Sequence, residues 1–88
     1  MYITPSELLA RYAAGERNFA GVGIWYDYRF SFAFKRANLS NIIWSGAELP
    51  QLRLREVNLS GAKLIGAYLA GADLGLADLS KADLTGAT

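Results

Sequence analysis

A repeat with a period of five residues is the feature that most constrains how this chain can fold. Stepping by five from Phe19 to Leu84 gives fourteen positions, of which thirteen are apolar and one, Arg29, is charged. A mostly small residue lies two places before each of these positions, and a glycine often lies two places after it. Helices repeat near 3.6 residues and strands near 2, so neither stays in phase with this pattern. A turn in every unit does stay in phase, and the pattern therefore predicts a coil whose stacked turns pair as in a β-sheet.

The individual units point to a known family. Units such as AGADL, GLADL, SKADL and SGAKL resemble the pentapeptide-repeat family, whose consensus is A(D/N)LXX. The resemblance covers residues 17–88 and implies an all-β solenoid, a right-handed quadrilateral β-helix with four units in each coil. Fourteen units then make about three and a half coils. The residues ahead of the repeat resemble the leader of small cyanobacterial members, so the expected organisation is a capping helix over 1–16 and a β-helix over 17–88.

The leader carries its own helix signals. Residues 4–7, Thr-Pro-Ser-Glu, fit a capping box with proline at the first helical position, and Gly15 supplies a stop. A helix of about ten residues does not persist alone in water, so we expect its apolar stripe to cover the open end of the first coil. The stripe consists of Leu8, Leu9, Tyr12 and Ala13.

Residues 84–88 end in the middle of the repeat pattern. An open last coil presents unpaired backbone groups and leucine side chains. Two interpretations stay open: the chain belongs to a longer protein, or its last coil pairs with a second copy or another partner.

The aromatic segment GIWYDYRFSFAF, residues 23–34, contains the one failure of the repeat. A literal register places Arg29 and Asp27 in the interior, where an ion pair loses about as much by desolvation as it gains. The favoured interpretation is a one-residue slip that turns Arg29 towards water. The slip places aromatic side chains inward instead: Tyr28, Phe30, Phe32 and Phe34.

If four units close a coil, residues twenty apart lie in one column, and the side chains on each face can be assigned. One face is expected to carry an amide ladder of Asn18, Asn38, Asn58 and Asp78. A second face is expected to carry an apolar interaction surface, although a contact with the leader helix also explains its first two members: Trp25, Tyr26, Ile43 and Ile65. Another face gathers a basic patch near Glu56 and Asp73, with Arg53 placed to pair with Asp73. The patch consists of Lys35, Arg36, Arg53 and Arg55.

Composition argues against catalysis. The chain has no histidine and no cysteine, which removes the commonest general base, the thiol nucleophile and the usual metal ligands. Asp73, Asp78 and Asp83 fall on three different faces of the coil and diverge, so they predict neither a metal site nor an acid/base pair. We therefore expect no enzymatic activity, no cofactor and no small-molecule substrate.

The sequence favours a non-catalytic interaction or scaffold module that binds a protein partner or self-associates through its last coil. Some members of the resembled family mimic duplex DNA and bind type II topoisomerases, but a net charge of +1 does not fit such mimicry. The same near-neutral charge gives little reason to expect nucleic-acid binding. A structural segment of a longer solenoid is the other alternative. With no signal peptide and no long apolar run, the expected location is the cytoplasm, without membrane insertion.

Overall fold

A computed structural model of the chain describes residues 1–25 and 32–88. It contains a short strand β1 (Tyr2–Ile3), a helix α1 (Pro5–Ala13) and a second short strand β2 (Gly23–Ile24). The remaining backbone pairs through single-residue parallel bridges separated by turns.

From Asn38 onwards the bridges join residues that are 20 apart. Asn38, for example, pairs with Asn58, and Asn58 pairs in turn with Asp78. The backbone hydrogen bonds follow the same register: the Leu39 N–H donates to the Asn58 carbonyl at 2.8 Å. Paired positions are therefore separated by 20 residues, which is the length of four five-residue units.

Each unit turns immediately after its inward residue. Gly61, two residues after Leu59, has a φ of 69°, and Leu76, two residues after Leu74, reaches a φ of 58° at the equivalent position. Glycine adopts this left-handed conformation without steric cost, whereas a leucine does not. The predicted corners are thus present, and the fold imposes the same backbone where glycine is missing.

The interior is a stack of apolar side chains. Trp44, fully buried, packs edge-to-face against Phe34, with ring centroids 6.5 Å apart. Both predicted inward series are buried through the middle of the stack, and burial becomes partial from Leu69 onwards. The fully buried leucines are Leu8, Leu39, Leu49, Leu54, Leu59 and Leu64.

Helix α1 packs against the apolar core. Thr4 is its N-cap and accepts a hydrogen bond from the Glu7 N–H at 3.1 Å, and Pro5 begins the helix. Leu8 is completely buried in the core, while the Tyr12 hydroxyl donates to the Ser40 carbonyl at 2.7 Å. Leu9 also packs against the core, whereas Ala13, predicted in the same stripe, is exposed.

The first turn is longer than the later ones. Asn18 pairs with Ile43 and Gly23 with Glu48, so the offset here is 25 residues and returns to 20 by Asn38. The prediction that residues twenty apart stack throughout is wrong for this turn. Phe34 lies ten positions after Ile24, whereas Leu54 lies five positions after Leu49.

The predicted slip is wrong at Phe32. This side chain is 70% exposed because its backbone has left the extended conformation: the Lys35 N–H donates to the Phe32 carbonyl at 3.1 Å and closes a turn. Phe34 is buried, as predicted. The rest of the slip, including a solvent-facing Arg29, falls on residues 26–31, which lie outside the described residues.

Candidate interaction surfaces

The first candidate surface lies where β1 joins the coil. β1 pairs in parallel with β2, placing Tyr2 beside Gly23, and Gly23 pairs in turn with Glu48 and Glu48 with Tyr68. Because Gly23 has no side chain, the Tyr2 ring lies across it, so closely that an added Cβ would be 2.4 Å from the ring. The Tyr2 hydroxyl reaches the next residue of the column and donates to the Glu48 carboxylate.

Trp25 extends this surface at the corner that follows β2. Its N–H donates to the Ile3 carbonyl at 2.9 Å, and its register aligns it with Pro50. Trp25 is 66% exposed, Tyr2 62% and Tyr68 48%. We call this surface the aromatic face; it consists of Tyr2, Gly23, Trp25, Glu48, Pro50 and Tyr68.

The predicted apolar surface is divided between two faces. Ile43 pairs with Asn18 and Lys63, which places it on the face beside the aromatic face, and Ile65 follows Lys63 on that same side. The grouping with Trp25 is therefore wrong, because the longer first turn displaces Trp25 by one face. Ile43 is half-buried and Ile65 is 42% exposed. Tyr26 lies outside the described residues.

Two residues of the aromatic face, Tyr2 and Tyr68, are not among the site residues predicted from the sequence. Tyr68 lies twenty residues after Glu48, so the period could have placed it once Glu48 was recognised as its neighbour. Tyr2 gives no such signal, since β1 lies outside the repeat and pairs with it only in the folded chain.

The second candidate surface is a groove that brings the basic patch together. All four predicted cations, Lys35, Arg36, Arg53 and Arg55, lie on one side of the coil. The groove has a volume of about 210 Å³. We call it the basic groove; it is lined by Phe32, Lys35, Arg53, Arg55, Glu56 and Asp73.

Two carboxylates in this groove are held by arginines. The Arg36 Nε lies 2.7 Å from a Glu56 oxygen, and the Arg55 Nε lies 3.4 Å from an Asp73 oxygen. The hydrogen bond and positive charge of Arg36 lower the pKa of Glu56, while the Gly75 N–H and then Arg55 lower that of Asp73. Both carboxylates are consequently ionised at neutral pH. Arg53 pairs with Asp73 through the backbone, and its charge also lowers the pKa of Asp73, but the ion pair itself is formed by Arg55 instead of the predicted Arg53.

The basic groove also has an aromatic wall. Phe32 is 70% exposed, and the Lys35 ammonium lies 6.0 Å from the centre of its ring. A cation at this distance is at the limit of a favourable interaction with the ring face. The groove therefore combines an accessible apolar surface with a net excess of positive charge.

The polar ladder differs from the expectation in its first member and in its bonding. Asn38, Asn58 and Asp78 form one column, but Asn18 pairs with Ile43 instead. Each of the three column side chains accepts a hydrogen bond from an N–H two residues later in its own unit, as Asn58 does from Ser60 at 2.9 Å. These side chains therefore stabilise the turns within units, and they do not form an amide ladder between coils.

The three aspartates of the last coil serve the same local purpose. Asp73, Asp78 and Asp83 accept from the N–H groups of Gly75, Ser80 and Thr85 at 2.9 to 3.0 Å. Their bridges place them in separate columns, as predicted. Within residues 1–25 and 32–88 there is no cluster of three or more metal-binding side chains. In the same part of the chain, no helix is long and apolar enough to cross a membrane.

Comparison with known proteins identifies the family. No curated protein sequence matches this chain significantly. Among solved structures, a pentapeptide repeat protein from Nostoc Pcc 7120 matches 99% of this chain and 75% of its own, with 28% identity and a TM-score of 0.59. A pentapeptide repeat protein from the cyanobacterium Cyanothece 51142 matches at 22% identity and a TM-score of 0.33, over 98% of this chain and 58% of its own.

The family model for pentapeptide repeats matches eight copies, over residues 34–69 and 58–88. These matched residues have the regular spacing of 20 between paired positions, whereas the longer first turn precedes them. Related structures of this kind imply a right-handed quadrilateral β-helix for the stack. The chain belongs to the pentapeptide-repeat family.

Proposed function

We propose that this chain is a non-catalytic interaction module that binds a protein partner through its aromatic face. Pentapeptide-repeat proteins generally act in protein interaction or as structural elements. The observation that carries the proposal is the exposure of Tyr2, Trp25 and Tyr68 on one surface. Tyrosine and tryptophan bury large areas at interfaces and supply a disproportionate share of binding energy.

The environment of these rings also favours binding. Glu48 is the one charged side chain of the aromatic face as defined above, and the Tyr2 hydroxyl already donates to its carboxylate. A partner that covers the face would therefore need to desolvate few charges. Pro50 and Gly23 add further surface without flexible side chains.

The backbone beneath the face is held in place from both sides. Glu48 donates to the Val22 carbonyl and its own carbonyl accepts from Ile24, at 3.0 and 3.1 Å. Tyr68 continues the ladder by donating to Ala47 at 2.9 Å. A surface ordered before binding loses less conformational entropy on association, which favours a complex through this face.

The test is a capture experiment that compares a variant of the aromatic face with a control variant of the neighbouring face. Immobilised wild-type chain, a Trp25→Ser/Tyr68→Ser variant and an Ile65→Ser control would be incubated with extract of the source organism, and bound proteins identified by mass spectrometry. We expect the aromatic-face variant to lose a partner that the control retains. Retention by both variants would refute the proposal, and loss only from the control would assign binding to the neighbouring face.

Light scattering on the purified variants separates a different protein from a second copy of this chain. A wild-type dimer that becomes monomeric in Trp25→Ser/Tyr68→Ser would make self-association the function of the face. Mimicry of DNA has no support from the basic groove, whose net positive charge is opposite to that of a phosphate backbone.

A further inference from the structure

We propose that the basic groove is a second binding site, which takes a short acidic segment of a protein, with carboxylates on Arg53 and Lys35 and an apolar side chain against Phe32. The groove lies on a different face from the aromatic face, so this site is independent of the proposed function above.

The positive charge of the chain is concentrated in and around the basic groove. Its region carries four cations, Lys35, Arg36, Arg53 and Arg55, against the two carboxylates of Glu56 and Asp73, an excess of +2. The whole chain has a net charge of +1, so all other residues together sum to −1. Residues 26–31 contain one aspartate and one arginine and do not alter this balance. An anionic partner is therefore drawn to this groove and not to the rest of the surface.

The ion pairs already present in the groove determine which cations an incoming carboxylate can bind. Arg36 and Arg55 already bond to Glu56 and Asp73, whereas the Arg53 and Lys35 side chains line the groove beside them. A guanidinium offers several N–H donors in one plane and binds carboxylates in a bidentate manner. Arg53 is thus the principal anchor in this site, and Lys35 adds a second positive charge.

The volume of the basic groove and its aromatic wall, Phe32, limit which side chains can enter it. With a volume of about 210 Å³, the groove can take individual side chains of a segment and not a folded domain. Phe32 offers an apolar surface in the same groove as the cations. A segment in which acidic residues flank an aromatic or aliphatic one fits both features at once.

The carboxylates of the groove favour a peptide over a nucleic acid. Glu56 and Asp73 line it together with the cations, so a ligand that fills the groove needs hydrogen-bond donors as well as negative charge. A peptide carries neutral backbone N–H groups between its charged side chains, and these can donate to the same carboxylates. The acidic groups can therefore accept hydrogen bonds from the backbone of a peptide, whereas the sugar-phosphate backbone of DNA has no N–H groups to donate.

The test uses fluorescence anisotropy with the full chain and a labelled, end-blocked peptide, Glu-Glu-Phe-Glu-Glu. We expect saturable binding that weakens with salt and that falls about five- to tenfold in Arg53→Gln, as expected when a charged hydrogen-bond partner is lost. Phe32→Ala should weaken binding as well. Lys81→Gln removes one positive charge elsewhere and should leave the affinity unchanged.

Three controls decide the outcome. Equal binding of Gln-Gln-Phe-Gln-Gln would show that charge is not recognised and would overturn the site. Equal weakening by Lys81→Gln and Arg53→Gln would show that only net charge matters, which also overturns it. Tighter binding of a short oligothymidylate than of the acidic peptide would replace the proposal with a nucleic-acid site. Circular dichroism of each variant confirms that the coil is intact, and these peptides do not test the aromatic face.

Discussion

The contact between Tyr2 and Gly23 can be tested by placing a methyl group between them. In Gly23→Ala the new Cβ would be 2.4 to 2.8 Å from three atoms of the Tyr2 ring, closer than a carbon contact allows. Gly23 is not among the residues with positive φ, so its backbone accepts alanine. The ring is the group that must move, and it would lose both its contact with the column and its hydrogen bond to Glu48.

The magnitude follows from the burial of Tyr2. The residue is 62% exposed, so a little over a third of its surface is covered. For a side chain of about 200 Å² this represents on the order of 1 to 2 kcal/mol at about 25 cal/mol per Å². Replacing glycine with alanine also restricts the unfolded chain, which raises the free energy of unfolding by about 0.4 to 1 kcal/mol. Gly23→Ala should therefore destabilise the wild-type chain by roughly 1 kcal/mol, or several degrees in Tm for a domain of this size.

A double-mutant cycle separates the contact from the backbone effect. In a Tyr2→Ala background no ring opposes the methyl group, so the destabilisation caused by Gly23→Ala should disappear or change to a small stabilisation. Urea unfolding followed by circular dichroism gives the four free energies of unfolding. If the effect of Gly23→Ala is the same in both backgrounds within about 0.5 kcal/mol, the ring does not lie over Gly23 and the aromatic face has been assembled incorrectly.

Three further predictions concern the repeat. Leu59→Ala, at a fully buried position, should cost about 2 to 5 kcal/mol in urea unfolding, whereas Leu84→Ala, at 40% exposure, should cost less than about 1; equal costs would contradict the decline of burial along the stack. Leu76→Gly should raise the free energy of unfolding by roughly 1 kcal/mol, because Leu76 is exposed and has a φ of 58°. Hydrogen bonds from the Ser80 side chain and backbone lower the pKa of Asp78, so its ionised form stabilises the fold above its unfolded pKa and this contribution is lost on acidification below about pH 4. Asp78→Asn keeps the acceptor and should flatten the fall of Tm with acid, and an unchanged acid profile would contradict this assignment.

The sequence predicts which side chains are buried far better than it predicts which face they occupy. Leu39, Leu59 and Leu64 follow the period of five and are fully buried. An additional five-residue unit leaves that period in phase, so every later inward position stays inward while the chain advances by one face. Arg29, the one charged residue among the inward positions of the period, indicates an irregularity. The period does not reveal how many residues this irregularity adds.

The remaining differences between prediction and structure come from short segments that pair with distant parts of the chain. β1 has two residues, too few for a periodic signal, and its position depends on an unpaired edge that only the folded first coil provides. The helix of the leader could be predicted because its signals are local: Thr4 bonds to Glu7, three residues away. The basic groove could be predicted in part, since Arg53 and Arg55 lie in the part of the chain where the spacing of 20 holds.

The length of the first turn itself leads to a deletion experiment. Phe34 lies ten positions after Ile24, whereas Leu54 lies five positions after Leu49 in the equivalent connection. Removing residues 27–31 would give the first turn the same spacing of 20 as the later coils while keeping Trp25 and Phe34. We expect this variant to fold, with a gain of about 0.6 kcal/mol from halving the length of the connection.

A matched variant in which residues 27–31 are replaced by a glycine-serine linker of equal length provides the control. If the native residues of this unit are not needed for the stack, both variants should unfold cooperatively, and the deletion should be the more stable of the two. Loss of cooperative unfolding in the deletion alone would mean that the corner requires its full length. Loss in both variants would mean that these residues contribute packing that the stack cannot replace, and the first turn would then be a specialised cap and not a coil with one additional unit.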